Sequence, residues 1–383
     1  MEETSQSSLL SLGFIGGGLD SAAGYAHFVS CMMDNQWSLV SGCFSRSSKS
    51  NLNTAHTYGV SPDRVYDRWE EMLLQERNRL DAIVVLTPTP SHCEIVTACL
   101  KAGFSVICEK PLAVNIAEVQ QILEVRNTVK GFLAVSYNYS GYPMVRELRN
   151  LIRKGVLGRI LHFQAEMPQE GFRRVDSKGN KPIPQSWRLS DGQIPMIHLD
   201  LAAHLHHLIY YLTRQRPLEV VSDQDSYGWF DVIDNVTSLC RYSEDIQGQM
   251  WFSKSALGHR NGLRLRLYGS DASAEWFQAC PEELVLSFPD GRRQILDRAS
   301  TVDVAGMRRY NRFKAGHPAG FIEALANLYT DSADCLRHYK STGEWVSEEV
   351  FGAELAAEGL RLLEAMVLSF HSRAWQAVGP QVK

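Results

Sequence analysis

The chain has 383 residues, 44% of them apolar and 21% charged, and its 39 Lys and Arg against 43 Asp and Glu leave a net charge of −4. That length suits about two or three domains whose cores need no disulfide or metal staple. The near balance of charge excludes a disordered chain and a nucleic-acid binder working by gross positive charge. No stretch approaches the ~18 to 20 uninterrupted apolar residues of a membrane helix. The start, Met1 to Leu10, is acidic and polar where a secretory signal would be basic and then apolar, so a cytoplasmic protein without a membrane partner is expected. Eight cysteines, at positions 31, 43, 93, 99, 108, 240, 280 and 335, form no C-x-x-C pair and read as reduced, buried thiols.

Through the first third, short β-branched runs alternate with helical patterns: Leu10 to Ile15, Trp37 to Phe44, Ala82 to Leu86, Ser105 to Cys108 and Phe132 to Ser136. This predicts βαβ units and an α/β, doubly wound parallel sheet. Asn115-Ile-Ala-Glu118 has the form of a capping box, the stripe Val119, Ile122, Leu123 follows, and Gly131 is the expected C-cap. From about Tyr139 the texture changes. A helix containing Val145 to Lys154 ends at Gly155, and alternating strands follow at Leu161/Phe163/Ala165, Leu263/Leu265/Leu267 and Leu284/Leu286/Phe288, with further extended runs near Val220 and Ile246 to Phe252. They predict an α+β half with a largely antiparallel sheet covered on one face. The expected division is 1–138 and 139–383. Two long stretches, Pro168 to Pro195 and Arg298 to Gly320, are rich in Gly, Pro and basic residues; loops of such length usually act as lids or partner arms. Arg173, Arg174, Lys178 and Lys181 in one, with Arg308, Arg309, Arg312 and Lys314 in the other, would attract an anionic sugar, form a subunit contact or simply be solvated. An apolar helix from Val350 to about Phe370 closes the chain.

Phe14-Ile-Gly-Gly-Gly18 follows the first strand, and Ser21-Ala-Ala-Gly24-Tyr-Ala-His27 reads as helix. Glycines at such a turn let backbone amides approach a pyrophosphate at the positive end of the helix dipole. Gly16, Gly18 and Gly24 are therefore candidate cofactor contacts, with Gly16 and Gly18 making the tight turn. The third glycine of a strict G-x-G-x-x-G would be residue 21, which is Ser, so the loop is longer than the standard fingerprint. After the second strand, Ser45-Arg46-Ser47-Ser48-Lys49 offers no carboxylate for an NAD ribose. Its cations and hydroxyls suit a 2′-phosphate, which favours NADP over NAD with Ser45 and Arg46 as contacts; a solvated loop leaving NAD usable is the alternative.

The glycine loop with His27, Thr87-Pro-Thr-Pro-Ser-His92, Glu109-Lys110-Pro111, Tyr137-Asn138 and Asp200-x-x-x-His204 occur in this order, with Gly269-Ser-Asp and His317-Pro-Ala-Gly-Phe-Ile-Glu323 later. In these motifs the sequence resembles the Gfo/Idh/MocA family (glucose-fructose oxidoreductase and inositol dehydrogenase) along nearly its whole length. The resemblance implies an N-terminal Rossmann domain plus a C-terminal domain with a large open sheet. It implies NAD(P)-dependent chemistry at a sugar or cyclitol carbon, homodimers or homotetramers, and a Lys110–Pro111 bond that is often cis. Cofactor contacts are implied at Thr87, Pro88, His92, Glu109, Lys110 and Asn138; His92 would alternatively cap the next helix.

Oxidising a secondary alcohol requires a group to take the hydroxyl proton while hydride leaves, and another to hold the carbon in reach. Lys110 follows a strand at the carboxyl edge of the parallel sheet, where its ammonium would stabilise developing alkoxide. Asp200 and His204, spaced i and i+4, share a face of a helix beginning near Leu199, with His207 and Tyr211 continuing a polar stripe apart from the core stripe Leu201, Leu205, Leu208, Leu212. His204 is the expected general base, alone or sharing the proton with Lys110, and Asp200 orients sugar hydroxyls or the imidazole. Tyr137, Trp187, Arg188 and His198 are further substrate candidates; Tyr137 would otherwise be a core aromatic, and Trp187-Arg188 a loop anchor. The segment from His198 to His207 also admits a metal reading. The family resemblance accounts for Asp200 and His204 without an ion, and none is expected.

The leading expectation is an NAD(P)-dependent dehydrogenase or reductase of a sugar, sugar derivative or cyclitol. The alternatives are a glycoside hydrolase with a retained nicotinamide cofactor, and a catalytically silent dinucleotide-binding partner protein. The latter role would require none of Lys110, Asp200 and His204.

Overall fold

The computed structural model describes residues 9–379 except Ala22; the start of the chain on which the signal-peptide expectation rests lies, for residues 1–8, outside the described residues. In chain order the elements of the first half are β1 (Leu10–Gly16), α1 (Gly24–Met32), β2 (Trp37–Cys43), α2 (Ser48–Tyr58), α3 (Trp69–Gln75), β3 (Ala82–Leu86), α4 (His92–Lys101), β4 (Ser105–Glu109), α5 (Ile116–Val129), β5 (Leu133–Ser136) and α6 (Pro143–Arg153). There follow β6 (Ile160–Pro168), α7 (Ala203–Thr213), β7 (Pro217–Asp225), β8 (Asn235–Tyr242), β9 (Gln247–Ser253), β10 (Arg264–Gly269), β11 (Ser273–Phe277), β12 (Leu284–Ser287) and β13 (Arg293–Leu296). The last elements are α8 (Phe321–Thr342), α9 (Ala353–Ser372) and β14 (Gln376–Ala377).

Two compact units result. One gathers the chain up to Ala113 with Ala117–Gly141 and Phe321–Glu354; the other takes Val114–Ile116, Tyr142–Gly320 and the chain from Leu355. In the first unit five strands pair in parallel in the order β2-β1-β3-β4-β5. Every residue of β3 is buried, as expected of a parallel strand covered on both faces. Strand order reverses between β1 and β3, where open α/β sheets form a ligand crevice.

The contact division differs from a single cut after residue 138, because α8 returns to the first unit. Its stripe Leu325, Leu328, Tyr329, Ala333, Leu336 is buried in one cluster with Leu10, Leu12, Trp37 and Leu39. Trp37 Nε1 donates to Tyr329 O at 2.8 Å and Ser30 Oγ to Ile322 O at 3.0 Å. The stripe's period specifies a helix but not the sheet it covers. At the end of α5 the left-handed residue is Lys130 (φ 50), not Gly131; the Gly131 N–H reaches Arg126 O at 3.0 Å, closing the helix one residue earlier than expected.

The second unit holds a nine-stranded sheet, β13-β12-β11-β10-β6-β9-β8-β7-β14, antiparallel throughout except for β6 with β9. In that parallel pair Phe163 stands beside Gly248, and a Cβ at 248 would fall 2.1 Å from the Phe163 ring. The long stretch from Arg298 is anchored by Arg298 itself, whose guanidinium bonds Glu282, Tyr310 O, Asn311 and His317 O. All eight cysteines are free thiols, and seven are buried, Cys280 being exposed. Among the described residues no helix is long and apolar enough to cross a membrane.

Candidate active site

At the end of β1 the chain turns through Gly16 (φ 83) and Gly17 (φ 74). Gly17, rather than the expected Gly18, thus shares the tight turn with Gly16, since only a residue without Cβ accepts these angles cheaply. Gly16 pairs with Leu86, and a Cβ there would come 2.7 Å from the Leu86 carbonyl carbon. At Gly18 a Cβ would meet Phe44 O at 3.1 Å. At Gly24 it would lie 2.1 Å from Gly17 O. Gly24 therefore permits close approach of α1 to the turn despite the three extra residues. Ser21 Oγ accepts the Gly24 N–H at 3.2 Å, Thr54 Oγ1 accepts that of Leu19 at 3.2 Å, and Tyr58 OH donates to Gly17 O at 3.1 Å.

Beyond β2, Ser47 caps α2 by accepting the Ser50 N–H, and Ser48 Oγ donates to Asp67 Oδ2 at 2.7 Å. Asp67 also accepts from Asn51 Nδ2 at 3.3 Å, so its carboxylate is tied to α2 by two side chains. Ser45 is half-buried and Arg46 exposed.

The carboxyl edge of β3, β4 and β5 carries the next group. His92 is buried, with Nε2 2.8 Å from Thr87 O and Nδ1 2.9 Å from Pro111 O. Burial outweighs these carbonyls and lowers its pKa. His92 therefore braces the Thr87-Pro88 loop against the Lys110–Pro111 step, which is cis. Both of its ring nitrogens are committed to backbone. Ser91 Oγ donates to Thr87 Oγ1 at 2.9 Å. Lys110 is half-buried. Burial pushes the Glu109 carboxyl up, but His27, 3.0 Å away, and the Lys110 ammonium outweigh it and hold it below the usual range. Tyr137 is buried, and burial raises its hydroxyl pKa. Asn138 is also buried, and its Nδ2 has no hydrogen-bond partner among the described residues. An orphaned amide donor at this edge, with the glycine turn that a Cβ would obstruct, fits a nicotinamide dinucleotide.

In the second unit a π-helical turn, His198–Ala202, leads into α7, with the Ala203 N–H reaching His198 O. Such turns cluster at functional sites. Asp200 Oδ2 accepts from Arg188 Nη1 at 2.6 Å and from Lys254 Nζ at 2.7 Å. The Arg188 guanidinium lies 4.3 Å from the Trp187 ring centre, so the half-buried Trp187 steers Arg188 toward Asp200. His204 is buried one turn on. The rest of the expected polar stripe is covered: His207 and Tyr211 are buried, and Arg149 of α6 stacks on Tyr211 at 4.1 Å. His198, expected at the substrate, is fully buried edge-to-face against Phe252 and pushed down to about 3 by burial, hence neutral. Helix α7 is packed on β6 and α6, so both of its faces are enclosed.

Residues 10–137 match the family described as an oxidoreductase family with an NAD-binding Rossmann fold, and residues 145–275 match the GFO/IDH/MocA C-terminal domain. The chain belongs to the Gfo/Idh/MocA oxidoreductase family. Within it, the chain is 30% identical over 366 residues to the uncharacterized oxidoreductase YfiI of Bacillus subtilis, covering 93% of each. It is 26% identical over 211 residues to myo-inositol 2-dehydrogenase of Thermotoga maritima, covering 54% of this chain and 56% of that one. An inositol dehydrogenase homologue from Azotobacter vinelandii, solved with NADH and myo-inositol, superposes with a TM-score of 0.88 at 25% identity, covering 97% and 98% of the two chains.

This Gfo/Idh/MocA oxidoreductase thus has an NAD-binding Rossmann domain and a mostly antiparallel second sheet. Sequence reasoning singled out neither Gly17 in the glycine turn nor Lys254 beside Asp200. Lys254 had one visible signal, a lysine at the end of the apolar run Met250-Trp-Phe252. Among the described residues no group of three or more His, Cys, Asp or Glu is arranged to hold a metal.

Proposed function

We propose that the protein is a nicotinamide-dependent dehydrogenase or reductase acting at a secondary alcohol or ketone carbon of a sugar, sugar derivative or cyclitol. The observation that carries this reading is Asp200, ionically held by Lys254 and Arg188 one turn before His204. An otherwise apolar helix start is an expensive place for such a group unless it serves a ligand. The glycine turn and Asn138 support the cofactor half. So does the Azotobacter vinelandii homologue, whose structure contains NADH and myo-inositol.

In the proposed mechanism the glycine turn at Gly16 and Gly17 would hold the cofactor's pyrophosphate through backbone amides, and Asn138 Nδ2, left without a partner, would be available to donate to the cofactor. The bound nicotinamide supplies a two-electron acceptor for the hydride. Lys110 donates a hydrogen bond to the reacting oxygen and stabilises its growing negative charge. His204 takes the hydroxyl proton, so C–H and O–H are lost, C=O forms, and one proton is released with each reduced cofactor. Asp200 orients substrate hydroxyls. Ser45 and Arg46 favour a 2′-phosphate, which puts NADP ahead of NAD. Incubating purified protein with NAD or NADP and a panel of free, phosphorylated and nucleotide-linked sugars and cyclitols, followed at the reduced-nicotinamide absorbance, tests the reading. Absence of reduction or oxidation across the panel in both directions would count against it.

A further inference from the structure

In the second unit the short turn Ser186–Leu189 is built around one guanidinium. Gln185 O accepts the Arg188 N–H at 2.9 Å and Gln185 Oε1 accepts from Trp187 Nε1 at 3.0 Å, so one residue fixes both the backbone and the indole. The indole lies against the guanidinium at 4.3 Å, and Arg188 Nη1 donates to Asp200 Oδ2 at 2.6 Å. Among the described residues Arg188 Nε and Nη2 reach no acceptor, and Asp200 is the one carboxylate within ion-pair distance of Arg188. That carboxylate is already met by the more deeply buried Lys254 at 2.7 Å, so the Arg188 charge is surplus to it.

The acids of the surrounding stretch are engaged elsewhere. Glu170 pairs with Arg174 at 3.6 Å and with Arg260 at 2.9 Å, Asp176 accepts the N–H groups of Lys178 and Asn180, and Asp191 accepts those of Met196 and Ile233. Other cations of the stretch are engaged too, Arg173 and Lys181 lying over the Trp229 ring at 4.5 and 4.6 Å. A surplus charge on a side chain only 24% exposed is costly unless an anion answers it. A guanidinium held in one plane, with Nε and Nη2 still to donate, matches the paired oxygens of a carboxylate or phosphate. We propose that Arg188 is an anion receptor of the substrate site, so that the substrate is a sugar or cyclitol derivative carrying a carboxylate or a phosphate. The inference deepens the dehydrogenase reading and rests on its assignment of Asp200 as the group that orients the substrate.

The test compares matched compounds on the full chain: free hexoses and cyclitols against the corresponding uronates and phosphate esters, in wild type and Arg188→Met, with steady-state kinetics. In wild type the anionic member is expected to exceed its neutral counterpart by about 10-fold or more in kcat/KM, and whichever of uronate and phosphate ester gains more names the group received. In Arg188→Met the anionic member is expected to lose about 10-fold, mostly through KM, and the neutral member about 2-fold, so that the preference falls by about 5-fold. Thermal melting verifies folding, and Arg188→Gln, which can still donate to Asp200, takes the place of Arg188→Met if the latter does not fold. Equal kcat/KM for neutral and anionic members in wild type, or a preference undiminished in the folded variant, overturns the inference. If no compound of either kind is oxidised or reduced, the dehydrogenase reading itself fails. Calorimetric titration of the same uronates and phosphate esters into wild type and variant then decides the anion site separately: binding that is absent, or indifferent to Arg188, overturns it.

Discussion

Lys254 Nζ lies 2.7 Å from Asp200 Oδ2, the same oxygen that Arg188 Nη1 reaches at 2.6 Å. The two cations differ in their surroundings: the Lys254 side chain is 9% exposed and that of Arg188 24%. Water can replace much of what Arg188 supplies, but little of what Lys254 does. Lys254→Met is therefore expected to lower kcat/KM by about 100-fold and to reduce the melting temperature, with Arg188→Met costing about 10-fold. Steady-state kinetics and thermal melts of the two variants check this, and equal effects would contradict the ordering.

Lys110→Met is expected to reduce kcat by about 100- to 10,000-fold while leaving the melting temperature within a few degrees of wild type. Lys110 is half-buried at a sheet edge, so its removal opens no core cavity. Unchanged turnover would remove it from the mechanism.

A methyl group at Gly24 meets the Gly17 carbonyl oxygen at 2.1 Å, backbone against backbone. No side chain can move aside, so α1 or the turn must shift. Gly24→Ala is expected to weaken dinucleotide binding by at least about 10-fold and to cost about 1 to 3 kcal/mol in stability. Titration with NAD and NADP, together with chemical denaturation, measures both.

Cofactor choice is tested at the end of β2. Ser45→Asp places a carboxylate where a 2′-phosphate would be repelled and ribose hydroxyls accepted, and it is expected to move the NADP/NAD ratio of kcat/KM toward NAD by about 10- to 100-fold. If the unmutated protein uses NAD better than NADP, the reading of Ser45 and Arg46 is wrong from the outset.

Acid should destabilise the second unit through its buried imidazoles. Burial pushes His198 and His206 down to about 3 from the ordinary 6.5, with Arg216 adding to the effect at His206. The unfolded chain therefore binds more protons than the folded one between those values. Stability is complete above about 6.5 and is lost as pH falls toward 3, each histidine contributing up to ~1.4 kcal/mol per pH unit. Denaturation midpoints measured from about pH 7 down to pH 5 should fall, and His198→Leu should flatten the slope. A slope unaffected by that substitution would mean that other groups govern the acid limb.

Local rules account for what could be read from the residues in order. The five parallel strands, the glycine turn after the first, and the helix stopping at Gly155 follow from period, β-branching and glycine placement, all of which act over a few neighbouring residues. Lys110, Asp200 and His204 were visible for a similar reason, being polar groups in apolar settings at chemically meaningful spacings.

Pairings between distant residues were not legible in that way. Nothing near Trp37 announces that its indole will bond Tyr329, nothing near Asp200 announces Lys254, and the covering of His207 and Tyr211 depends on where α6 lies. An apolar stripe requires burial without naming its cover, and a carboxylate requires a counter-charge without naming its donor. Which partner meets the need is settled by packing of the whole chain, where shape and desolvation select among many candidates of equal local merit.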